Sequence, residues 1–359
     1  MSLGLPDINI TFKENATTFV QRSKKGTIAM ILKGEHEEET EFKYEITQES
    51  DIPQDLSEEN REYIKRTLIG GEEKIKKILL YVAASGLTEI TAHLGYFENK
   101  KFDYLVLMPD ATATQTQELI KWIIKERSNG HNVKAVVTGN NADNKAIINF
   151  YAEQIKVGED EFLTAQQFVS RMAGLIVGTP LTQSVTYLEV PEVISVKSMT
   201  RSELDTNIDE GRLVLFNDGE KTKIARGVTS QVNENAIQAF RKIKLVETCD
   251  MIENDIRQVF EDEYIGKITN SYDNKCLLLS AIKNYLLGLE KEGILESGKS
   301  EVAIDVDAQA KYIKETLEID TSEMTEQEIK EYNTSDKVFI KITIKLLDAI
   351  ENISVSIVM

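Results

Sequence analysis

Cysteine is nearly absent from this chain. The two in 359 residues, Cys249 and Cys276, form no CxxC pair, which excludes a disulfide framework, suits a reducing cytoplasm and leaves both thiols expected in the core. Long apolar runs are missing too. No stretch approaches the roughly 20 apolar residues of a membrane span, and the opening MSLGLPDINI lacks the basic-then-apolar order of a secretion signal, so a soluble product without membrane insertion is expected. Basic charge is in deficit: 42 Lys and Arg against 60 Asp and Glu give a formal charge of −18, a field that repels nucleic acid. The short basic runs Lys74, Lys76, Lys77 and Lys221, Lys223, Arg226 carry no interleaved aromatics and read as solvated faces. Histidine is scarce and scattered. His36 in GEHEEETE misses the HExxH zinc pattern at Thr40, and His93 and His131 have no Cys or carboxylate at ligand spacing, so no metal is expected. No G-x-S-x-G elbow is present, and the acidic pairs, Asp305 with Asp307 among them, are too common in so acidic a chain to mark acid–base chemistry.

What is present is an ordinary globular composition, 41% hydrophobic and 28% charged, long enough for two domains. Apolar KILLYVAA (77–84), DYLVLMP (103–109) and VKAVVTG (133–139) read as buried strands. Helices fall between and around them. One follows Ser57 and stops at Gly70–Gly71, one carries a capping box at Thr114 and Gln117 with an apolar stripe at Leu119, Trp122 and Ile123, and another has a box at Thr164 and Gln167. This alternation predicts an α/β layer around a mostly parallel sheet. Thr27–Lys33 and Glu41–Thr47 are predicted to form a hairpin across an acidic turn, and GRLVLFNDGEKTKIARG a second one turning at Asn217–Gly219. Beyond it come a long helix ending near Gly266, with Val246, Cys249, Ile252, Ile256, Val259 and Phe260 at helical spacing, and a second helix with Leu279, Ile282, Leu286 and Leu289 on one side.

GILESGKS (293–300) fits the phosphate-loop pattern, but a helix precedes it and the strand-like EVAIDVD follows. The order is the reverse of what phosphate binding requires, so Gly293 reads as a helix C-terminal glycine and Lys299 as no nucleotide ligand.

The two ends alternate with period two: Ile8, Ile10 and Phe12 at the start; Val338, Ile340, Ile342, Ile344 and Leu346, then Ile353, Val355 and Ile357, at the finish. Such strands must find partners, in the chain's own sheet or in a neighbour's. Periodicity alone does not choose between the two.

Four stretches carry a family resemblance: GLPDINITFKENA, NDGEKTKIARGVTS, KIKLVETCDMIENDIRQVFEDEYIGKITNSYDNK and NTSDKVFIKITIKLLDAIENISVSIVM. With the α/β segments between them, the sequence resembles the tail sheath proteins of contractile phages and of R-type bacteriocins, in the short form of Gram-positive bacteria. Met251 to Asn270 and the Asp348–Ala349–Ile350–Glu351 ending are the most specific parts. The resemblance implies an α/β core domain (25–240), an α+β C-terminal domain (241–359) and an N-terminal strand arm with linker (1–24). It implies no catalytic residue and no cofactor. Copies would stack in rings around an inner tail tube, with baseplate and tail terminator proteins as further partners, assembled in the bacterial cytoplasm and later part of a particle that penetrates a cell envelope. Neighbouring subunits would exchange strands through Ile8, Ile10 and Phe12 and through Ile340, Ile342, Ile344, Ile353, Val355 and Ile357. Segments 15–23 and 333–336 would serve as hinges, and the acidic helix end, Glu253, Asp255, Glu261, Asp262 and Glu263, would face the tube. The competing reading is a soluble α/β enzyme that binds a small or phosphorylated ligand beside Asp110, Thr112 and Asn140 at the C-terminal strand ends.

Overall fold

The computed structural model describes residues 25–35, 41–140 and 142–358. The expected strand at Ile8, Ile10 and Phe12, the 15–23 hinge and His36 lie outside these residues. In chain order the described elements are β1 (Thr27–Lys33), β2 (Phe42–Ile46), α1 (Glu58–Leu68), β3 (Lys77–Ala83), α2 (Thr91–Leu94), β4 (Tyr104–Val106), α3 (Ala113–Ser128), β5 (Lys134–Val137), β6 (Ile147–Tyr151), β7 (Ile155–Lys156), β8 (Phe162–Leu163), α4 (Ala165–Val177), α5 (Arg201–Asp209), β9 (Arg212–Asn217) and β10 (Thr222–Ile224). There follow α6 (Ile243–Val259), α7 (Tyr272–Lys291), β11 (Glu301–Ile304), α8 (Val306–Thr316), α9 (Glu326–Glu331) and β12 (Ile340–Thr343). The described residues fall into two compact units, 25–252 with 348–358, and 253–347; the boundary lies inside α6.

The first unit is built on one eight-stranded sheet, ordered β10-β9-β6-β5-β4-β1-β3-β2. The run from β9 to β3 is parallel throughout, and antiparallel β10 and β2 close the two edges. Interior strands buried on both faces need continuous apolar sequence, and β1, β3, β4 and β5 have it. The hairpin expected between β1 and β2 does not form. β1 lies between β3 and β4, both parallel to it, while β2 pairs antiparallel with β3. Chemistry explains the exchange: TIAMILK is buried from Thr27 through Leu32, whereas FKYEI is largely exposed and suits an edge. The second expected hairpin forms as β9–β10, with Thr222 opposite Asn217 and Gly219 at φ +106°.

Ser57 caps α1 and Thr164 with Gln167 boxes α4, as the sequence predicts. The box of α3 sits two residues earlier than expected, at Thr112 and Gln115, because ATATQTQ offers the same Thr-x-x-Gln spacing twice. Leu119, Trp122 and Ile123 of α3 are buried. Helix α4 is buried almost end to end and packs on α1 so closely that a Cβ on Gly174 would stand 2.4 Å from the Thr67 carbonyl oxygen. Only glycine permits that approach.

In the second unit, α7 packs against β11, which pairs antiparallel with β12. The apolar side of α7 comprises Leu278, Ile282, Leu286 and Leu289; Leu279, expected on it, is only half-buried. Cys249 and Cys276 are half-buried and in no disulfide, rather than in the core. Among the described residues no helix is long and apolar enough to cross a membrane.

Candidate assembly interface

The second unit carries a short antiparallel ribbon. Ile304 faces Ile340 and Val302 faces Ile342, and the pairing continues beyond the strands through Leu295 opposite Leu346, Glu296 N–H to the Lys345 carbonyl at 2.8 Å and Leu347 N–H to the Ile294 carbonyl at 3.0 Å. Ile340, Ile342, Ile344 and Leu346 are half-buried and alternate with exposed Lys341, Thr343 and Lys345, so the predicted period-two face exists. Among the described residues the ribbon has no third strand, which leaves N–H and C=O groups at both outer edges. Packing against α7 supports the two strands, and their open outer edges can accept a further strand. The Asn333–Asp336 stretch, expected to act as a hinge, is braced: the Asn270 side-chain amide donates to the carbonyls of Ser335 (2.9 Å) and Lys337 (2.8 Å) and to Thr334 Oγ1 (3.2 Å).

The end of the chain groups with the α/β unit. There Asp348 and Glu351 are tied down by Lys242, and Glu351 also by Arg226. Beyond them Ile353, Val355 and Ile357 are 77%, 76% and 83% exposed and belong to no strand. Among the described residues no strand pairs with this segment.

Of the acidic set, Glu253 pairs with Arg257 at 2.8 Å, and Glu261, Asp262 and Glu263 lie exposed on a wide turn over Phe260–Tyr264, where Lys267 Nζ donates to the Asp262 carbonyl. Asp255 departs from the set. It is 1% exposed and accepts the Tyr285 hydroxyl at 2.6 Å, so it faces the core.

The residues of the competing enzyme reading are largely occupied locally, although the buried Asn140 Nδ2 has no partner among the described residues. Asp110 accepts from Lys33 at 2.6 Å, Thr112 caps α3, and Asn140 accepts the Ala142 N–H at 3.1 Å and, on its carbonyl, the Asn149 side chain at 2.7 Å. Cavities of about 100 Å³, lined by Tyr151, Glu153, Lys197 and Met199, and about 260 Å³, lined by Leu279, Lys283, Asn284 and Val302, lie elsewhere, and both fall below the roughly 300–1,000 Å³ of ligand sites. The phosphate-loop mimic is filled by the protein itself: Glu290 accepts the N–H groups of Gly298 (2.9 Å) and Ser300 (3.0 Å), and Gly293 ends α7 at φ +72°. His93 Nδ1 meets the Tyr81 hydroxyl at 2.8 Å and His131 Nδ1 meets Glu126 at 2.7 Å. Sequence reasoning missed the buried carboxylates of α6: Glu247, held by Lys25 and Tyr104, and Asp250, held by Arg127 and Lys134.

The family model of the phage tail sheath protein central domain matches residues 83–230, and that of the phage tail sheath C-terminal domain matches 236–359. A tail sheath protein of Clostridium phage phiCD119 is 39% identical over 364 residues, covering 99% of each chain. The chain belongs to the phage tail sheath protein family. It is a structural subunit of a tail sheath, not an enzyme. Solved structures share this sheath fold: a sheath tail protein of Desulfitobacterium hafniense (TM-score 0.70, 15% identity, 83% of this chain and 94% of that one) and the helical sheath of the anti-feeding prophage in its contracted state (TM-score 0.71, 14% identity, 99% of each). The β11–β12 ribbon and the exposed tail both lie within the C-terminal family match.

Proposed function

We propose that this sheath subunit polymerises with copies of itself into stacked rings around an inner tail tube, and that the assembled sheath contracts to drive the tube through a cell envelope. The observation that carries the reading is the pairing deficit near the chain end: a two-stranded ribbon with open outer edges and, among the described residues, no third strand, and beyond it Ile353, Val355 and Ile357, alternating and more than three-quarters exposed. Strand addition from neighbouring subunits satisfies both, the terminal strands of different copies joining in one sheet. The first unit, with its doubly covered parallel sheet, moves as a rigid body while exchanged strands stay paired. Contraction then draws on inter-subunit contacts and needs no nucleotide. Glu253, Glu261, Asp262 and Glu263 form the tube-facing set, touching the tube through polar contacts that break on firing. Baseplate and terminator proteins close the two ends of the polymer, which is built in the bacterial cytoplasm. Negative-stain microscopy of the full chain with its tube protein tests the reading: hollow striated cylinders are expected, and compact monomers under every condition would overturn it.

A further inference from the structure

Glu351 sits at the point where the chain leaves its own fold. Its side chain is 5% exposed. One oxygen accepts from the hydroxyls of Thr186 (2.7 Å) and Ser184 (3.2 Å); the other accepts Arg226 Nε at 3.1 Å and lies 3.0 Å from Lys242 Nζ. Its surroundings are built to hold it. Thr186 Oγ1 also accepts the Gly227 N–H at 3.0 Å, Lys242 bonds Asp348 as well, and Arg226 reaches the Asn352 side chain at 3.4 Å. The intervening Ile350 is 87% exposed, so apolar burial does not hold this stretch; the polar contacts do. Burial pushes the Glu351 carboxyl upward, yet the Thr186 and Lys242 hydrogen bonds and the charges of Lys242 and Arg226 bring it below its ordinary value.

A carboxylate with so many partners gains little net stability, because desolvation offsets attraction, but it fixes geometry. Immediately after it the exposed segment 353–358 begins, and six extended residues span about 20 Å. We propose that Glu351 is a positioning residue that roots the C-terminal arm on the α/β unit, so that Ile353, Val355 and Ile357 are presented to a second copy of this chain rather than folding back on their own subunit. The proposal rests on the strand-exchange reading above. It adds the device that aims the strand.

The test compares three full-length variants for melting, for hydrogen exchange over 346–358 as monomers, and for assembly with the tube protein. Glu351→Ala is expected to keep the fold, to speed exchange in 348–352 at least tenfold and to lower the assembled fraction about tenfold. Glu351→Gln, of the same size, is expected to fall between it and the parent, and it decides by the same readouts if Glu351→Ala fails to fold. The double change Val355→Pro and Ile357→Pro leaves the anchor intact and removes ladder hydrogen bonds; it is expected to abolish assembly with 348–352 exchange unchanged. If the proline variant fails to assemble while the Glu351 variants assemble like the parent, the anchor is overturned and strand exchange stands. If the proline variant assembles normally, strand exchange falls and the anchor with it.

Discussion

Arg127 grips Asp250 as a two-pronged fork, Nη1 at 2.9 Å from one carboxylate oxygen and Nη2 at 2.7 Å from the other, while Lys134 Nζ closes the triad at 3.0 Å. All three side chains are at most 11% exposed, and the triad fixes the α6 part of the first unit to α3 and β5. Burial pushes the Asp250 carboxyl up, but the neighbouring Lys134 and Arg127 charges outweigh it and hold it below the usual range. Asp250→Ala strands two buried cations, so it is expected to cost about 3–5 kcal/mol in urea unfolding. A loss under about 1 kcal/mol would show that the triad adds nothing. The pH dependence follows from the depressed value. The contribution is full above the unfolded carboxyl pKa of about 3.9 and disappears as pH falls through the lower folded value, so the difference between parent and variant should narrow only in strong acid.

The sheet was legible because buried parallel strands write themselves as apolar runs, as in KILLYVA of β3 and KAVV of β5. Pairing was not. Both β1 and β2 read as strands, yet which neighbour each takes is decided by burial on two faces, which puts β3 between them. Local chemistry misplaced details by one or two residues where the pattern repeats: Thr112 for Thr114 in ATATQTQ, Leu278 for Leu279 in CLLLS. Glu351 stood out within a distinctive stretch, but its partners Thr186 and Arg226 lie 165 and 125 residues away, and no spacing rule joins them. Asp255 looked like its acidic neighbours; only its meeting with Tyr285 marks it as interior.

Nucleotide should leave the subunit untouched. Because the Glu290 carboxylate already accepts the Gly298 and Ser300 N–H groups, a phosphate would have to displace a fixed anion beside a helix C-terminus. Thermal unfolding with and without millimolar magnesium ATP should coincide, since a ligand at 100 times its Kd adds about 2.7 kcal/mol. A clear upward shift that Lys299→Ala removes would contradict this account.

Exposed charge on the Phe260–Tyr264 turn makes a different kind of prediction, one about association. If Glu261, Asp262 and Glu263 meet the tube, their triple change to Gln, Asn and Gln leaves the melting temperature nearly unchanged, because surface charges contribute little to folding. Tube-templated assembly should slow and lose part of its dependence on ionic strength. Identical salt profiles for parent and variant would move the tube contact to another surface.

Removing Met1 to Asn15 separates folding from assembly most sharply. The buried core of the first unit begins at Ile28, and the second unit draws its apolar side from α6, α7, β11 and β12, so the truncation deletes none of the described core. A cooperative melt close to that of the full chain is therefore expected. Polymerisation is a separate matter: under the proposed strand exchange, the period-two pattern of Ile8, Ile10 and Phe12 would partner ribbon edges that are open among the described residues. With the tube protein present, the truncated subunit should sediment as a monomer where the full chain forms cylinders. Cylinders of normal yield and striation from the truncated protein would remove the N-terminal strand from the exchange and leave the C-terminal arm to link the rings alone.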